Sequence, residues 1–288
     1  MRPLLKVSFL FAFLSVIACS CTFKENLYTP NEADNYFFKI AKEEFKYQPA
    51  LVATGKTLWI YVPLKTEIFR MKAKEEGPAA KTKKISVESL EGKFEDRVFI
   101  FDYDIAPAVK PADNKGLAND YTETFNETYR NILTAISRAY LNSSAPPDFI
   151  IVVFADTHNG VEVIDTLCVE DLKKYQSGAL PQEEYALRIL TDSKGDPKII
   201  NDTTGTSLDP QEMTWGDFLA RQIAKRIQFK FEQSDFTPDE DITKEILTLT
   251  RETLHSYQFL DFAAVRLHDL KKDTRQEFSW TQVFGITK

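Results

Sequence analysis

Cysteine, histidine and methionine each occur only three times in this 288-residue chain. Cys19 and Cys21 sit together near the start, so Cys168 is the one thiol of the remaining body and no internal disulfide can staple it. No cysteine and histidine cluster has zinc spacing, and His158, His255 and His268 exhaust the imidazoles. The ten glycines form no Gly-x-Gly-x-x-Gly fingerprint, no phosphate loop ending in Gly-Lys-Ser/Thr and no Gly-x-Ser-x-Gly elbow. The usual signatures of dinucleotide, nucleoside triphosphate and serine-hydrolase chemistry are missing, and neither a cofactor nor a metal is expected. Positive charge is in deficit, with 36 basic against 43 acidic side chains and a formal charge of −7. Such a chain has no general attraction for nucleic acid, which is excluded as a partner.

What the first residues do contain is the layout of a secretory signal. Arg2 and Lys6 supply positive charge, and Val7 to Ala18 follow without a charged residue. At about a dozen residues this run is too short for a membrane-spanning helix, which needs about 20. It ends in Val16-Ile17-Ala18-Cys19: an aliphatic residue, a tolerant position, a small residue and a cysteine. This tetrad resembles the lipobox of bacterial lipoproteins. The resemblance ends at Cys19. It implies cleavage before that residue, a diacylglyceryl group on its thiol and acylation of the new amino terminus. Several acyl chains anchor a protein stably where one alone binds marginally. Cys21 is the alternative acceptor, preceded by the poorer match Ala18-Cys19-Ser20. Ser20, rather than Asp, after the cysteine favours the outer membrane where the cell has one. Loss of residues 1–18 removes Arg2 and Lys6, so the mature chain is two charges more negative. The expected organisation is a signal peptide over 1–18, a membrane tether over 19–28 and one globular domain over 29–288.

Three helix starts are written almost alike: Thr29-Pro30-Asn31-Glu32, Asp209-Pro210-Gln211-Glu212 and Thr237-Pro238-Asp239-Glu240. Each offers a cap, a proline at the first helical position and a glutamate placed to reach back. They predict helices near 30–47, 210–232 and 238–270. Trp215, Leu219, Ile223, Ile227 and Phe231 make an apolar stripe in the second, and Ile242, Ile246, Leu249, Tyr257, Leu260 and Leu267 a seam in the third. A further helix over about 120–142 carries Tyr121, Phe125, Tyr129, Ile132 and Ile136.

Elsewhere the apolar period is two. Thr57 to Leu64 and Val98 to Ile105 read as strands, and Phe149 to Ala155, apolar throughout, as a central one. His158-Asn159-Gly160 then turns the chain into Val161 to Cys168 as a hairpin. Tyr185 to Thr191 and Pro197 to Ile200, flanking Ser193 to Asp196, read as a second hairpin. Hairpins imply antiparallel pairing, so the expected fold is α+β: an antiparallel or mixed sheet packed by the long helix and a C-terminal helix pair. The segments 73–84 and 106–119 read as loops.

Chemistry is thinly written. Val98-Phe99-Ile100-Phe101-Asp102-Tyr103-Asp104 resembles the first motif of haloacid dehalogenase-like phosphohydrolases, in which the first Asp is the nucleophile and the second the general acid beside magnesium. The resemblance would make Asp102 attack and Asp104 protonate. Ala106 departs from the motif's usual Thr or Val, and the late acidic motif is only echoed in Asn201-Asp202. The plainer reading places both carboxylates where one strand face meets water, beyond Val98 and Ile100. Asp156 with His158 is a weak acid-base candidate, His255 and His268 are read as lying on one long helix, and Asp202 to Thr206 as turn chemistry. Cys168 reads as a small core hydrophobe.

The expectation is a lipid-anchored envelope lipoprotein held through Cys19, with a non-catalytic body that binds another envelope protein as an accessory factor. The alternatives are an envelope hydrolase using Asp102 and Asp104, and a lipoprotein that binds a small ligand in a sizeable pocket.

Overall fold

The computed structural model describes residues 27–73, 85–107, 117–232 and 241–285. The signal region, Cys19 and the Thr237 capping signature lie outside the described residues. Helix α1 (Pro30–Lys39) begins as its sequence dictates: the Glu32 amide donates to Thr29 Oγ1, and the Thr29 amide donates to Glu32 Oε2 at 2.7 Å. A π-turn, Ile40–Glu44, leads to the hairpin β1 (Ala50–Thr54) and β2 (Thr57–Leu64). Strand β3 (Phe69–Ala73) pairs with β6 (Leu117–Tyr121), and between them β4 (Ile85–Glu95) and β5 (Val98–Pro107) form a second hairpin. Helix α2 (Glu123–Tyr140) is capped by Thr122 and precedes the hairpin β7 (Phe149–Asp156) and β8 (Val161–Cys168). Short helices α3 (Val169–Gln176) and α4 (Gln182–Arg188) lead to β9 (Leu190–Gly195). Helices α5 (Trp215–Phe231) and α6 (Ile242–Ser256), the hairpin β10 (Ala264–Asp269) and β11 (Thr274–Ser279), and α7 (Trp280–Phe284) complete the described chain.

A first sheet runs β1-β2-β7-β8-β9, a second runs β11-β10-β5-β4, and β3 with β6 forms a small third one. In the first, only β2 and β7 are parallel; in the second, only β5 and β10. The fold is therefore α+β with mixed sheets, α2 covering the first and the pair α5 and α6 the second. Both sheets follow one plan: a hairpin with a two-residue turn, a helical crossover, then a second hairpin whose first strand runs parallel to the first hairpin's second strand. In each, the second turn residue receives the incoming strand. The Phe149 amide donates to Lys56 O, and the Ala263 amide to Arg97 O at 2.7 Å.

One face of the first sheet, with Ile60, Val62, Val152 and Phe154, packs against Phe37 of α1 and Ile132 and Ile136 of α2. The other, with Tyr61, Ile151 and Val153, is covered by Ile199, Leu208 and Met213. The inner face of the second sheet, Phe99, Phe101, Tyr103 and Ile105, meets Phe218, Ile223 and Ile227 of α5. Phe149, at the start of β7, reaches into that same core with its ring 5.0 Å from Phe218. Two glycines let α5 approach β4. A Cβ on Gly92 would stand 2.5 Å from the Ala220 carbonyl oxygen, and one on Gly216 would stand 2.0 Å from the Phe94 ring.

Several sequence expectations are corrected. The Asp209 to Glu212 signature does not start a helix. Glu212 instead accepts the Lys56 amide at 2.9 Å, the Gln211 carbonyl accepts Trp59 Nε1, and α5 starts at Trp215 under Thr214. The helix expected over 238–270 is described only from Ile242 and ends at Ser256, where Gln258, at φ 54, turns the chain away; Ala264 to Asp269 is a strand. His255 and His268 thus share no helix. The second expected hairpin is absent because Gln182–Arg188 is helical and Pro197–Ile199 forms a 3-10 turn, leaving β9 to pair with β8. Of the expected loops, 74–84 and 108–116 lie outside the described residues, while their flanks belong to β3, β5 and β6.

Replacing Gly92 with Ala should cost about 1–3 kcal/mol, because the added methyl meets rigid helix backbone rather than a movable side chain. Urea denaturation reads this directly, and an unchanged midpoint would mean that α5 is not seated on β4 in this way.

Candidate functional site

Among the described residues the Asp-x-Asp strand does not assemble a phosphoryl-transfer site. Asp102 lies in the middle of β5 and not at its end, so no strand-end loop surrounds it with amides. Its Oδ1 is 3.0 Å from His268 Nδ1, and His268 Nε2 is 3.2 Å from Asp273 Oδ1. Asp104 is half-buried, with Oδ1 sealed away from solvent and without a hydrogen-bond partner in the described structure. Val98 and Ile100 share this outer face but are not core; the buried residues of β5 are Phe99, Phe101, Tyr103 and Ile105. The described helices that pack on this sheet, α5, α6 and α7, lie on the side of Phe99 and Phe101. On the outer face Arg266 pairs with Glu277 across β10 and β11, and Lys93 pairs with Glu91 along β4.

The other sequence candidates resolve into structural roles. Asp156 Oδ1 accepts the backbone amides of His158 and Asn159 at 3.1 and 2.9 Å, which holds the turn, while the His158 side chain is exposed. Asp202 does the same for its loop, accepting the amides of Thr204, Gly205 and Ser207 at 2.8–3.0 Å. Burial opposes its ionisation, but the Ser207, Thr204 and Gly205 hydrogen bonds outweigh it and hold the carboxyl well below the ordinary range. Cys168 is buried, which pushes its thiol up to about 12 and leaves it inert.

Four buried acids, Glu162, Asp165, Asp171 and Asp269, were not visible in the sequence, and Asp165 and Asp171 are the most deeply enclosed of them. Asp171 of α3 is 1% exposed and accepts Arg188 Nη1 at 2.7 Å and the Tyr257 hydroxyl, with Arg188 also 5.0 Å above the Tyr257 ring. This ties α3 and α4 to the end of α6. Asp165 of β8 lies in the core, where burial raises its carboxyl against hydrogen bonds from Thr191 and Tyr129. Both are enclosed by protein. Among the described residues no group of three or more His, Cys, Asp or Glu could hold a metal ion, and no helix is long and apolar enough to cross a membrane.

A more open site lies at the carboxyl ends of the parallel strands β2 and β7, beside the first turns of α2. Here a cavity of about 530 Å³ is lined by five threonines, Thr66, Thr124, Thr128, Thr157 and Thr203, together with Lys46, Lys65, Tyr47 and Gln48. Strand ends of this kind are where open sheets gather loops around a ligand. The walls are fixed. The Thr157 amide and hydroxyl both donate to the Leu64 carbonyl, joining the ends of β7 and β2, and the Asn201 amide donates to the Thr157 carbonyl at 2.8 Å. The Tyr47 hydroxyl donates to Thr128 Oγ1 at 3.0 Å, and Thr128 donates in turn to the Thr124 carbonyl. Lys46, in the left-handed region at φ 64, donates to the Glu43 carbonyl at 2.7 Å, whereas exposed Lys65 forms no ion pair among the described residues. The sequence signal for this site was slight: Lys65-Thr66 directly follows a strand, and Asp156-Thr157 and Asp202-Thr203 repeat an acid that caps a turn beside a threonine that faces the cavity.

Asp202→Ala should destabilise the protein by about 2 kcal/mol at pH 7, since three amides lose their acceptor. The folded-state carboxyl titrates below the unfolded one, so its contribution is present above about pH 4 and is lost as pH falls through the folded value. Urea melts of the two proteins should therefore differ at pH 7 and converge in strong acid; a gap constant with pH would contradict this assignment. Neither a protein-family model, nor a curated protein, nor a solved structure matches this chain.

Proposed function

We propose that this chain is a lipid-anchored binding protein of the cell envelope, held through acylated Cys19, with a body that binds its target without transforming it. The observation that carries the binding reading is the threonine-walled cavity. Its lining offers hydroxyls, amines and one amide, equipment for holding oxygen atoms, on walls cross-linked by hydrogen bonds. Its volume lies within the range of small-molecule sites.

The placement suits a tethered protein. The Tyr28 amide donates to the Asn142 carbonyl and the Ser144 amide to the Tyr28 carbonyl at 2.7 Å, so the chain from the anchor joins the body beside the C-terminal end of α2. The cavity lies at the N-terminal end of the same 18-residue helix, about 27 Å away. Residues 19–27 can reach at most ~30 Å from the bilayer. An anchor at one pole leaves the cavity open at the other.

A second reading, the envelope-protein partner, is favoured by the edges of β4 and β9, which pair with no further strand among the described residues. They flank a groove of about 540 Å³ floored by Lys225 and Gln228 of α5, where an extended segment of a partner would add as a strand.

Metabolic labelling with a fatty-acid analogue should tag the wild type, and Cys19→Ala should lose both label and membrane retention. Retained label in Cys19→Ala with loss in Cys21→Ala would move the anchor to Cys21. For the groove, a photo-crosslinking residue at position 191 should give a discrete adduct in cells that one at position 252, on the exposed side of α6, does not; equal patterns would remove the edge-pairing reading.

A further inference from the structure

Resting on the binding reading above, we propose that the cavity at the carboxyl ends of β2 and β7 takes a small polyhydroxylated molecule bearing an oxyanion, a phosphate or sulfate ester of a sugar or polyol. The charge of the lining is the first ground. The chain has 43 acidic against 36 basic residues, yet among the described residues two lysines and no carboxylate line this cavity. The acids beside the lining threonines in sequence, Asp156 and Asp202, are buried and committed to turn amides. The recess in the same place on the second sheet, at the end of the parallel pair β5 and β10, has the opposite character. There Asp241 and Asp269 line a space of about 480 Å³ with one lysine, Lys272, which is already paired to Asp269 at 3.1 Å.

The second ground is the division of hydrogen-bonding roles. Thr66, Thr124 and Thr203 have no side-chain hydrogen bond among the described residues, so their hydroxyls, with Lys65, are donors available to anionic oxygens. Thr157 has already given its hydroxyl proton to the Leu64 carbonyl, so its oxygen is left to accept, and Thr128, which gives its own to Thr124 and accepts from Tyr47, keeps one further lone pair. A bare anion has no proton to offer such acceptors, whereas hydroxyl groups on the same ligand do. Donors for the anion and acceptors for the hydroxyls together define the class.

The oxyanion could belong to a soluble ester or to a lipid headgroup. The pole opposite the anchor favours the soluble source. The test is thermal-shift titration of the full chain, purified in neutral detergent, with glucose 6-phosphate, glycerol 3-phosphate and glucose, and with micelles doped with phosphatidylinositol. At least one phosphate ester should bind tenfold or more tightly than glucose. Lys65→Glu and Thr203→Val should each weaken it tenfold or more, while Lys271→Glu, on the β10–β11 turn, should not. A response confined to the doped micelles and lost in Lys65→Glu would uphold the oxyanion chemistry and assign it to a headgroup. Glucose binding as tightly as the esters, indifferent to Lys65→Glu, would overturn the anion assignment and leave the binding protein intact. No response to any probe would overturn both.

Discussion

The seat of α5 on β4 governs how the rest of the body can be built. At Gly92 the strand has no side chain, and the helix backbone at Ala220 fills that space; at Gly216 the helix has none, and the Phe94 ring fills it. With the two surfaces this close, the Phe218, Ile223 and Ile227 side of α5 reaches the Phe99 and Phe101 layer of the second sheet. Phe149 and Leu190 come into the same core from the first sheet. The first sheet thus contributes to a core it does not own. The chain order is interleaved as well: the crossover from β2 to β7 encloses β4 and β5, and the crossover from β5 to β10 encloses β7, β8 and β9. Neither parallel pairing forms from a contiguous segment that excludes strands of the other sheet. Long-range closures of this kind carry an entropic cost before their contacts form, which predisposes such a topology to slow folding.

The joint between the sheets is polar as well as apolar. Asp171 is removed from water and would be strongly unfavourable there without a cation. Arg188, the Tyr257 hydroxyl and the Tyr257 ring together supply the compensation, and they come from two separate helical regions. Arg188 and Arg226 both also meet Glu184. A buried ion pair of this kind adds little net stability over an apolar contact but penalises any arrangement in which its partners separate. Its position between α3, α4 and α6 therefore fixes register more than it adds strength.

How much of this was legible depended on whether the deciding contact was local. Thr29 and Glu32 bond to each other, so their signature was read correctly; Asp209 to Glu212 carries the same signature, but Glu212 and Gln211 are claimed by the β1–β2 hairpin and by Trp59. The strand Phe149–Asp156 announced its double burial through unbroken apolarity, and every one of its residues is buried. Ala264 to Asp269 went unread because Leu260, Ala264 and Leu267 also continue a helical spacing, and the left-handed turn at Gln258 that breaks it is a backbone event on a residue with no special preference for it. The cavity was invisible for a related reason. Its five threonines come from a strand end, a helix and two loops, and a threonine in sequence says more about caps and turns than about a wall it shares with residues a hundred positions away.

The doubled plan of the two sheets separates what backbone supplies from what side chains supply. In both, the strand after the crossover ends in an aspartate whose Oδ1 accepts the amides two and three residues on: Asp156 with His158 and Asn159, Asp269 with Lys271 and Lys272. Both hairpin loops close on a residue in the left-handed region, Gly160 at φ 67 and Asp273 at φ 49. A recess beside a helix start follows in each case from that geometry alone. Only the lining differs, with lysines and free hydroxyls in one and aspartates with a self-paired lysine in the other. Because the same backbone produces both recesses, the architecture cannot be the source of any specificity. What distinguishes the two recesses is therefore carried by side chains, Lys65 and the threonines around it in one and Asp241, Asp269 and Lys272 in the other.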